Sequence, residues 1–335
     1  VHQGEVSLAP AGDALPMRLS KLELSIEAAA LSGPWHVEGE GEWRGRPVAV
    51  RLTTGAVDDA GALRARALME RKGGGFKAEI DGLVATKGET GFDGKLHLEG
   101  DMAWPEDNDI GVRPVTLSST IKLSGRTFDL SAAEIIAGGD EGGFKLTGMG
   151  AGQLGRDGQL DLHLDARQID FDRTLTVPGR DHPPLMDVLS AWRGILLASD
   201  EDLTPSLPVN VSLAIESVLA GGDTIRSVKL DAHLDGDGVK LKHGEADLPG
   251  GGRLVASGDI GFADGGAFYG NALFTAKDFI RFGAWVDDNK SGRSPHFGEA
   301  RDVSIEGVFA LSSSLIAASN LKIRLDKSTL NGLVR

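Results

Sequence analysis

One pattern recurs three times along this chain: an alternating strand, a glycine turn, and a second alternating strand that runs up to another glycine. The turns are at residues 73–75, 142–143 and 250–252, and the second strands are predicted to end at Gly82, Gly148 and Gly258. A fourth copy starts at residues 321–325, and we expect the end of the chain to truncate it. A meander of this length builds a wide sheet with one apolar face, which something must cover.

Apolar and charged residues alternate over much of the sequence, so that each predicted strand has one apolar and one charged side. The apolar members of the clearest stretches are Val48, Val50 and Leu52; Leu160, Leu162 and Leu164; Val228, Leu230, Ala232 and Leu234; and Leu321, Ile323 and Leu325. This period of two is typical of antiparallel strands whose sheet meets water on one side. Asp157-Gly158 and Asp237-Gly238, each between two such stretches, indicate tight hairpins.

Two segments depart from this pattern and predict amphipathic helices. Apolar residues at helical spacing predict a helix near 184–198, after two prolines, and a shorter one near 277–287. The side chains expected to pack these helices onto the sheet are Leu185, Leu189, Trp192, Phe279, Phe282 and Trp285. The two tryptophans could instead plug or gate an apolar trough. Residues 104–114 and 200–208 are predicted to be loops that join segments of the sheet.

The predicted fold class is mainly β: a long, twisted antiparallel meander that curls into an open groove, a half-pipe with two short amphipathic helices. Helices about 15 to 22 Å long cannot cover a sheet of roughly a dozen strands. Either the sheet closes on itself as a sandwich, or part of its apolar face stays open and receives a ligand. We expect one continuous unit with β segments at residues 1–105, 106–205 and 206–290, the last two ending in the helices, and a truncated repeat at 291–335.

If the sheet is open, the alternating apolar residues are the candidate lining of a lipid groove. This candidate lining is Leu117, Ile121, Leu123, Leu160, Leu162, Leu164, Val211, Leu213, Ile215, Val228, Leu230, Leu234, Leu321, Ile323 and Leu325. The alternative is an ordinary sandwich core, and the same residues meet a ligand only if the apolar face is unsealed.

Composition excludes several functional classes. The chain of 335 residues has a formal net charge of −14 with acids and bases interspersed, which argues against nucleic-acid backbones and anionic membrane surfaces as partners. Cysteine is absent, which rules out disulfides and thiolate metal sites and suits an oxidising compartment such as a periplasm. No apolar stretch approaches the ~18 to 20 residues of a spanning helix. Because the chain begins at Val1 and ends within a predicted strand, we expect it to be a segment of a longer polypeptide.

No motif in the sequence supports catalysis, a cofactor or a metal ion, and none of these is predicted. Residues 150–155 have the G-x-G-x-x-G spacing, but a turn and an alternating strand follow where a dinucleotide site needs a helix. Residues 235–238 begin like a calcium loop, yet Val239 and Ala246 stand where that loop needs oxygen ligands. A carbohydrate hydrolase would need an aromatic-rich site, and the chain has only five tryptophans and one tyrosine.

One passage of the sequence is recognisable. Residues 247–258 read Asp-Leu-Pro-Gly-Gly-Gly-Arg-Leu-Val-Ala-Ser-Gly, and a strand and a short Phe- and Trp-containing helix follow. This phrase resembles the AsmA family of Gram-negative envelope proteins, which is related to the TamB and YhdP groups. Residues 22–55 and 303–332 are similar to other passages of the same family, so the resemblance spans nearly the whole chain.

The resemblance implies a function without catalytic residues. Membership would imply an inner-membrane helix outside this segment, a periplasmic body, and a curved β groove that conducts phospholipid acyl chains between inner and outer membranes. The expected ligand is therefore a phospholipid or another acyl lipid, with no cofactor and no nucleic acid. The alternative is a structural or regulatory envelope protein that affects outer-membrane protein assembly, with exposed strand edges as the surface that binds an assembly factor.

Overall fold

The computed structural model describes residues 4–8, 17–30, 32–43, 45–106, 109–139, 143–155, 158–175, 180–197, 207–235, 238–261, 267–287, 302–312 and 316–334. The strands, numbered β1 to β19 in chain order, are Gly4–Leu8, Met17–Ala28, Trp35–Trp43, Arg46–Thr54, Ala62–Arg71, Phe76–Ala85, Gly91–Glu106, Asp109–Ser124, Thr127–Ala137, Phe144–Gln153, Gln159–Asp170, Val209–Ala220, Asp223–Leu234, Gly238–Leu248, Gly252–Gly261, Ala267–Ala276, Val303–Leu311, Ile316–Leu325 and Ser328–Val334. The helices are α1, Leu185–Leu197, and α2, Phe279–Val286.

All nineteen strands belong to one sheet, in which each strand pairs with its neighbours in chain order. The predicted meander and the mainly β fold class are confirmed, and the sheet curls into an open groove. Within the described ranges β1 pairs only with β2, and β19 pairs only with β18. β1 and β19 are therefore the outer strands of the sheet that the described residues form.

One strand pair departs from the antiparallel pattern. β11 and β12 run parallel, with a register from Leu160 opposite Val209 to Asp170 opposite Leu219. A parallel neighbour requires the chain to return to the opposite edge of the sheet before it re-enters. The chain makes this return between β11 and β12, and α1 lies in that interval.

The strand ends define two edges of the sheet. The helix edge carries the turn at Gly221 and Gly222, the 3-10 turn Pro249–Gly251, and both helices. The far edge carries the hairpins that join β6 to β7 and β8 to β9. The hairpins expected at residues 157–158 and 237–238 also lie there: their flanking strands pair as predicted, although Asp157 and Asp237 lie outside the described residues.

The register places apolar side chains on one face of the sheet and charged side chains on the other. Leu162 lies opposite Gly150 and Val211, and Gly150 lies opposite Leu130, so these residues share a face. We call this the inner face, because both helices pack on it, and the opposite one the outer face. In the described strands, the positions at strand centres on the inner face carry no charged residue.

Four strands keep the apolar residues on the inner face by means of a β-bulge that reverses the alternation. Lys21, Ala132, Ser227 and Asn320 have φ of 51°, 51°, 52° and 52°, in β2, β9, β13 and β18. Each is followed by an apolar, a charged and an apolar residue, as in Leu22-Glu23-Leu24. The left-handed conformation costs about 1–2 kcal/mol for a residue with a Cβ. Its recurrence at one kind of position indicates a built-in bend in the sheet.

The three glycines predicted to end strands lie inside strands instead, so that prediction is wrong. β6, β10 and β15 continue three to five residues beyond Gly82, Gly148 and Gly258. Two of these glycines face another glycine across the ladder, Gly94 and Gly270. In both pairs a phenylalanine ring of the neighbouring strand lies over the space that a Cβ would fill.

Both predicted helices are confirmed, with bounds close to those expected. α1 covers Leu185–Leu197 and α2 covers Phe279–Val286, the latter capped by Asp278, whose carboxylate accepts from the Arg281 N–H. The loop predicted at residues 104–114 is wrong: β7 and β8 form one long hairpin there, with Trp104 opposite Gly111. Pairing of two long strands outweighs the local turn signals. Residues 200–206 of the second predicted loop lie outside the described residues.

The sheet is one layer thick over most of its length. The chain exposes 19,922 Å², against about 13,000 Å² expected for a compact protein of 35.1 kDa. Its buried clusters lie under the two helices and along β11 and β12. In the described ranges no second sheet covers the rest of the inner face.

We expect a methyl group at the paired glycines to destabilise the sheet. A Cβ on Gly82 would overlap the Asp93 carbonyl oxygen and lie 2.6 Å from the Gly94 Cα, so Gly82→Ala should lower the free energy of unfolding by about 1–3 kcal/mol. Gly332→Ala is the matched control, because nothing lies within 4 Å of its Cβ position, and it should change stability by no more than about 0.5 kcal/mol. Urea unfolding measures both; equal midpoints would contradict the register.

Candidate functional site

The candidate site is the inner face itself. Every residue of the predicted lining lies on it, as the register requires: Leu117 and Ile121 face β7 and β9, Leu164 faces Leu213, which faces Leu230, and Ile323 faces Ile305. The remaining members occupy equivalent alternate positions: Leu123, Leu160, Leu162, Val211, Ile215, Val228, Leu234, Leu321 and Leu325. The sheet therefore joins these residues, distant in sequence, into one apolar surface.

Most of these lining residues are neither sealed nor fully exposed. Leu164, Ile215 and Leu321 are buried, whereas the other members retain part of their side-chain surface in water. Half-burial of this kind follows when apolar side chains contact neighbours along the face but nothing above them. The surface has the character of a shallow apolar trough.

An aromatic cluster covers the trough at the helix edge near α1. The Trp192 ring lies 5.2 Å from Trp104, 6.1 Å from Phe144 and 4.6 Å from Phe171, between ring centroids. Trp104 is only 2% exposed. These rings come from β7, β10, the segment after β11, and α1, so one helix ties together strands far apart in the sheet. Such packing fixes α1 on the inner face.

A second cluster holds α2 next to α1. The Trp285 indole N–H donates to the Ala220 carbonyl oxygen at 2.8 Å, and Phe282 lies 4.4 Å from Phe274 between centroids. Phe279 and Trp285 are buried, as expected for the side that faces the sheet. Together α1 and α2 cover only the helix edge.

Sequence reasoning missed part of this cover. Leu189 was predicted to pack on the sheet but is 49% exposed, whereas Val188 is fully buried. The buried stripe of α1 runs through Leu185, Val188 and Trp192, and Leu189 lies to its solvent side. Trp104 gave no signal because the strand around it was predicted to be a loop. Leu185, Val188 and Trp192 lie at i, i+3 and i+7 in the sequence, but Leu189 lies at i+4, which is also a helical spacing. The pattern alone therefore does not decide whether Val188 or Leu189 is buried.

The outer face is a water-facing lattice of cross-strand ion pairs. Arg64 Nε lies 3.0 Å from Asp81, and this hydrogen bond lowers the pKa of the Asp81 carboxyl. A hydrogen bond from Lys77 at 2.8 Å lowers the pKa of Glu99 in the same way, with a second contribution from His97. These carboxylates stay ionised at neutral pH, which keeps the outer face hydrated.

The arrangement provides a surface for apolar contact more readily than for covalent chemistry. In the part of the chain that the structure describes, no three His, Asp or Glu side chains converge as metal ligands. Gly150 and Gly152 of the G-x-G-x-x-G stretch lie within β10. No helix in the described ranges is long and apolar enough to cross a membrane.

Comparison with protein-family models, curated proteins and solved structures gives no match to this chain.

The cover of the helix edge makes a direct prediction for α1. Val188→Ala should lower the free energy of unfolding by about 2 kcal/mol, because it leaves a cavity under the helix. Leu189→Ala, one residue away and exposed, should change it by less than about 0.5 kcal/mol. Urea unfolding gives the free energies, and near-ultraviolet circular dichroism reports the packing of Trp192. A larger loss for Leu189→Ala would show that the helix presents its other side to the sheet.

Proposed function

We propose that this protein is a segment of a periplasmic, AsmA-like envelope protein whose groove binds phospholipid acyl chains and conducts them between inner and outer membranes. The observation that carries the proposal is the inner face: nineteen strands wide, apolar at strand centres, and without a second layer in the described ranges. An exposed apolar surface of that extent normally has a ligand or partner. The resemblance of residues 247–258 to the AsmA family supports the same reading.

Hydrocarbon transfer along such a surface needs no covalent intermediate. Each CH₂ exposed to water costs about 0.8 kcal/mol, so a chain of ~16 carbons loses on the order of 12 kcal/mol when it leaves a membrane bare. A continuous apolar trough returns most of that free energy at every step. At about 4.8 Å per strand, the sheet would offer a path of roughly 85 Å if flat.

The proposal assigns no enzymatic activity and no cofactor to this chain. Binding is by aliphatic side chains such as Leu162, Val211 and Leu230, whose neighbours on the same face are also apolar. A net direction of transfer would come from an energy source or a lipid sink outside the chain. The inner-membrane anchor that the family resemblance implies would likewise be supplied by another part of the protein.

A second candidate function is partner binding at β19, which pairs only with β18 among the described residues. All seven residues of β19 are exposed, and Leu330 and Leu333 are 59% and 71% exposed. A strand that is paired on one side only can receive a strand from another protein. In this reading the protein is a structural or regulatory envelope component that acts on outer-membrane protein assembly.

The groove proposal predicts co-purified lipid and a face-specific loss of lipid. Protein isolated from membranes should carry phospholipid in native mass spectrometry and take up a fluorescent fatty acid. Leu162→Asp and Leu230→Asp should each reduce uptake at least about tenfold, because a charge on the inner face disfavours hydrocarbon.

Met149→Asp and Leu83→Asp are the matched controls, since both residues lie on the outer face and are 61% and 56% exposed. They should leave uptake unchanged, and circular dichroism should show all four variants folded. Unfolding of the two inner-face variants would indicate a sealed core. If the unmodified protein carries no phospholipid and takes up no fatty acid, the proposal is wrong.

Partner binding at β19 predicts a different result. Asn331→Pro removes a backbone N–H that points away from β18 and should abolish capture of an outer-membrane assembly factor by the immobilised protein. Fatty-acid uptake should persist in the same variant, because the change is confined to the last strand. Equal capture by both forms would exclude β19 as the binding edge.

A further inference from the structure

A pocket of about 500 Å³ opens at the helix edge, between the ends of β13 to β16 and α2. Four cationic side chains surround it: Arg226, Arg253, Lys277 and Arg281. Only two carboxylates, Asp223 and Asp247, belong to its wall. Four cations against two carboxylates leave a local excess of two positive charges, in a chain whose formal net charge is −14.

The cations of this pocket are only partly neutralised. Arg281 pairs with Asp223 at 3.3 Å, and Arg253 pairs at 2.8 Å with Glu245, which Lys229 also contacts. For the side chains of Arg226 and Lys277, neither an ion pair nor a hydrogen bond is found among the described residues. The side chains of Arg226 and Lys277 are therefore available to bind an anionic group.

The floor of the pocket is backbone that is fixed in place and almost free of side chains. The turn Pro249–Gly251 is anchored to α2, because the Asp278 N–H donates to the Gly250 carbonyl oxygen at 2.9 Å. A Cβ on Gly250, which has φ of 73°, would overlap the Asp278 carbonyl oxygen. Glycine at this position thus allows the turn to sit against the helix and leaves the pocket open.

The charged wall of the pocket is one cross-strand row on the outer face, formed by Arg226, Asp247 and Arg253, and the pocket meets the inner face at Leu248. Leu248, which belongs to its wall, also packs in the cluster with Trp285 and Phe282. A molecule with a hydrocarbon tail on the inner face and a charged head at the helix edge could contact both regions. The adjoining pocket shares Asp223 and has four aspartates against two arginines in its wall, so the excess charge changes sign between the two pockets.

We propose that Arg226, Arg253, Lys277 and Arg281 form a binding site for a phosphate group. Guanidinium and ammonium groups are the usual protein partners of phosphate, and arginine binds it through paired N–H donors. Two sources share this chemistry: the headgroup of a phospholipid whose acyl chains lie on the inner face, and free phosphate. The headgroup source rests on the proposed function; the phosphate site itself does not.

Isothermal titration calorimetry with three probes separates these sources: dioctanoyl phosphatidylglycerol, dioctanoylglycerol and inorganic phosphate. The test variant is Arg226→Gln/Lys277→Gln. The control is Lys122→Gln/Lys240→Gln, which removes the same charge from exposed lysines elsewhere on the outer face. The test variant should bind the phospholipid at least about tenfold more weakly, as expected for the loss of charge-assisted hydrogen bonds, and dioctanoylglycerol as before.

The outcomes are distinguishable. Inorganic phosphate that binds as tightly as the phospholipid, with the same loss in the test variant, would support the site and assign it to free phosphate. Phosphate binding without any binding of dioctanoylglycerol would support the site while the proposed groove function fails. A test variant that matches the control for both phosphate-bearing probes would overturn the site.

Discussion

A single layer of backbone hydrogen bonds holds this protein together. In most domains a sheet is stabilised from above and below, because its apolar face is buried against a second layer. Here each strand depends on its two neighbours in the plane and on contacts along the face, and 19,922 Å² of surface remains in water. The glycine pairs under phenylalanine rings and the cross-strand ion pairs of the outer face both strengthen that plane. The apolar inner face therefore does not serve to join two layers.

The parallel pair of β11 and β12 explains why the helices cover the inner face only at the helix edge. A meander can be built with short turns alone, and such turns leave its face uncovered. The return between β11 and β12 supplies α1, whose Trp192 contacts rings from β7 and β10. α2 then packs beside it through Trp285. A compact core therefore forms at the helix edge alone, and the rest of the face stays one layer thick.

The sequence predicted those features that depend on local period. Alternation at Leu160, Leu162 and Leu164 predicted the face correctly, and the spacing around Trp192 predicted α1. The bulges could not be predicted, because Lys21 and Ala132 adopt a conformation that their side chains disfavour and that only the ladder imposes. Trp104 lies in a strand, and Val188 is buried while Leu189 is exposed, because of contacts between segments that are distant in sequence. A local sequence pattern does not contain such contacts. The apolar inner face followed from alternation, whereas the cationic pocket unites side chains of β13, β15, α2 and the segment between β16 and α2.

The groove and the pocket together define the kind of molecule that fits this surface. Aliphatic side chains along the inner face favour hydrocarbon but cannot distinguish one acyl chain from another, since each CH₂ contributes a similar free energy. Discrimination has to come from a polar group at a fixed distance from the tail, and the helix edge is where fixed polar groups meet the apolar face. The acidic character of the chain as a whole repels anions at long range, so the proposed phosphate site depends on the short-range charges of Arg226 and Lys277. A ligand whose acyl chain binds anywhere along the trough, and whose charged headgroup binds only at the pocket, would move along the inner face and be retained next to α2.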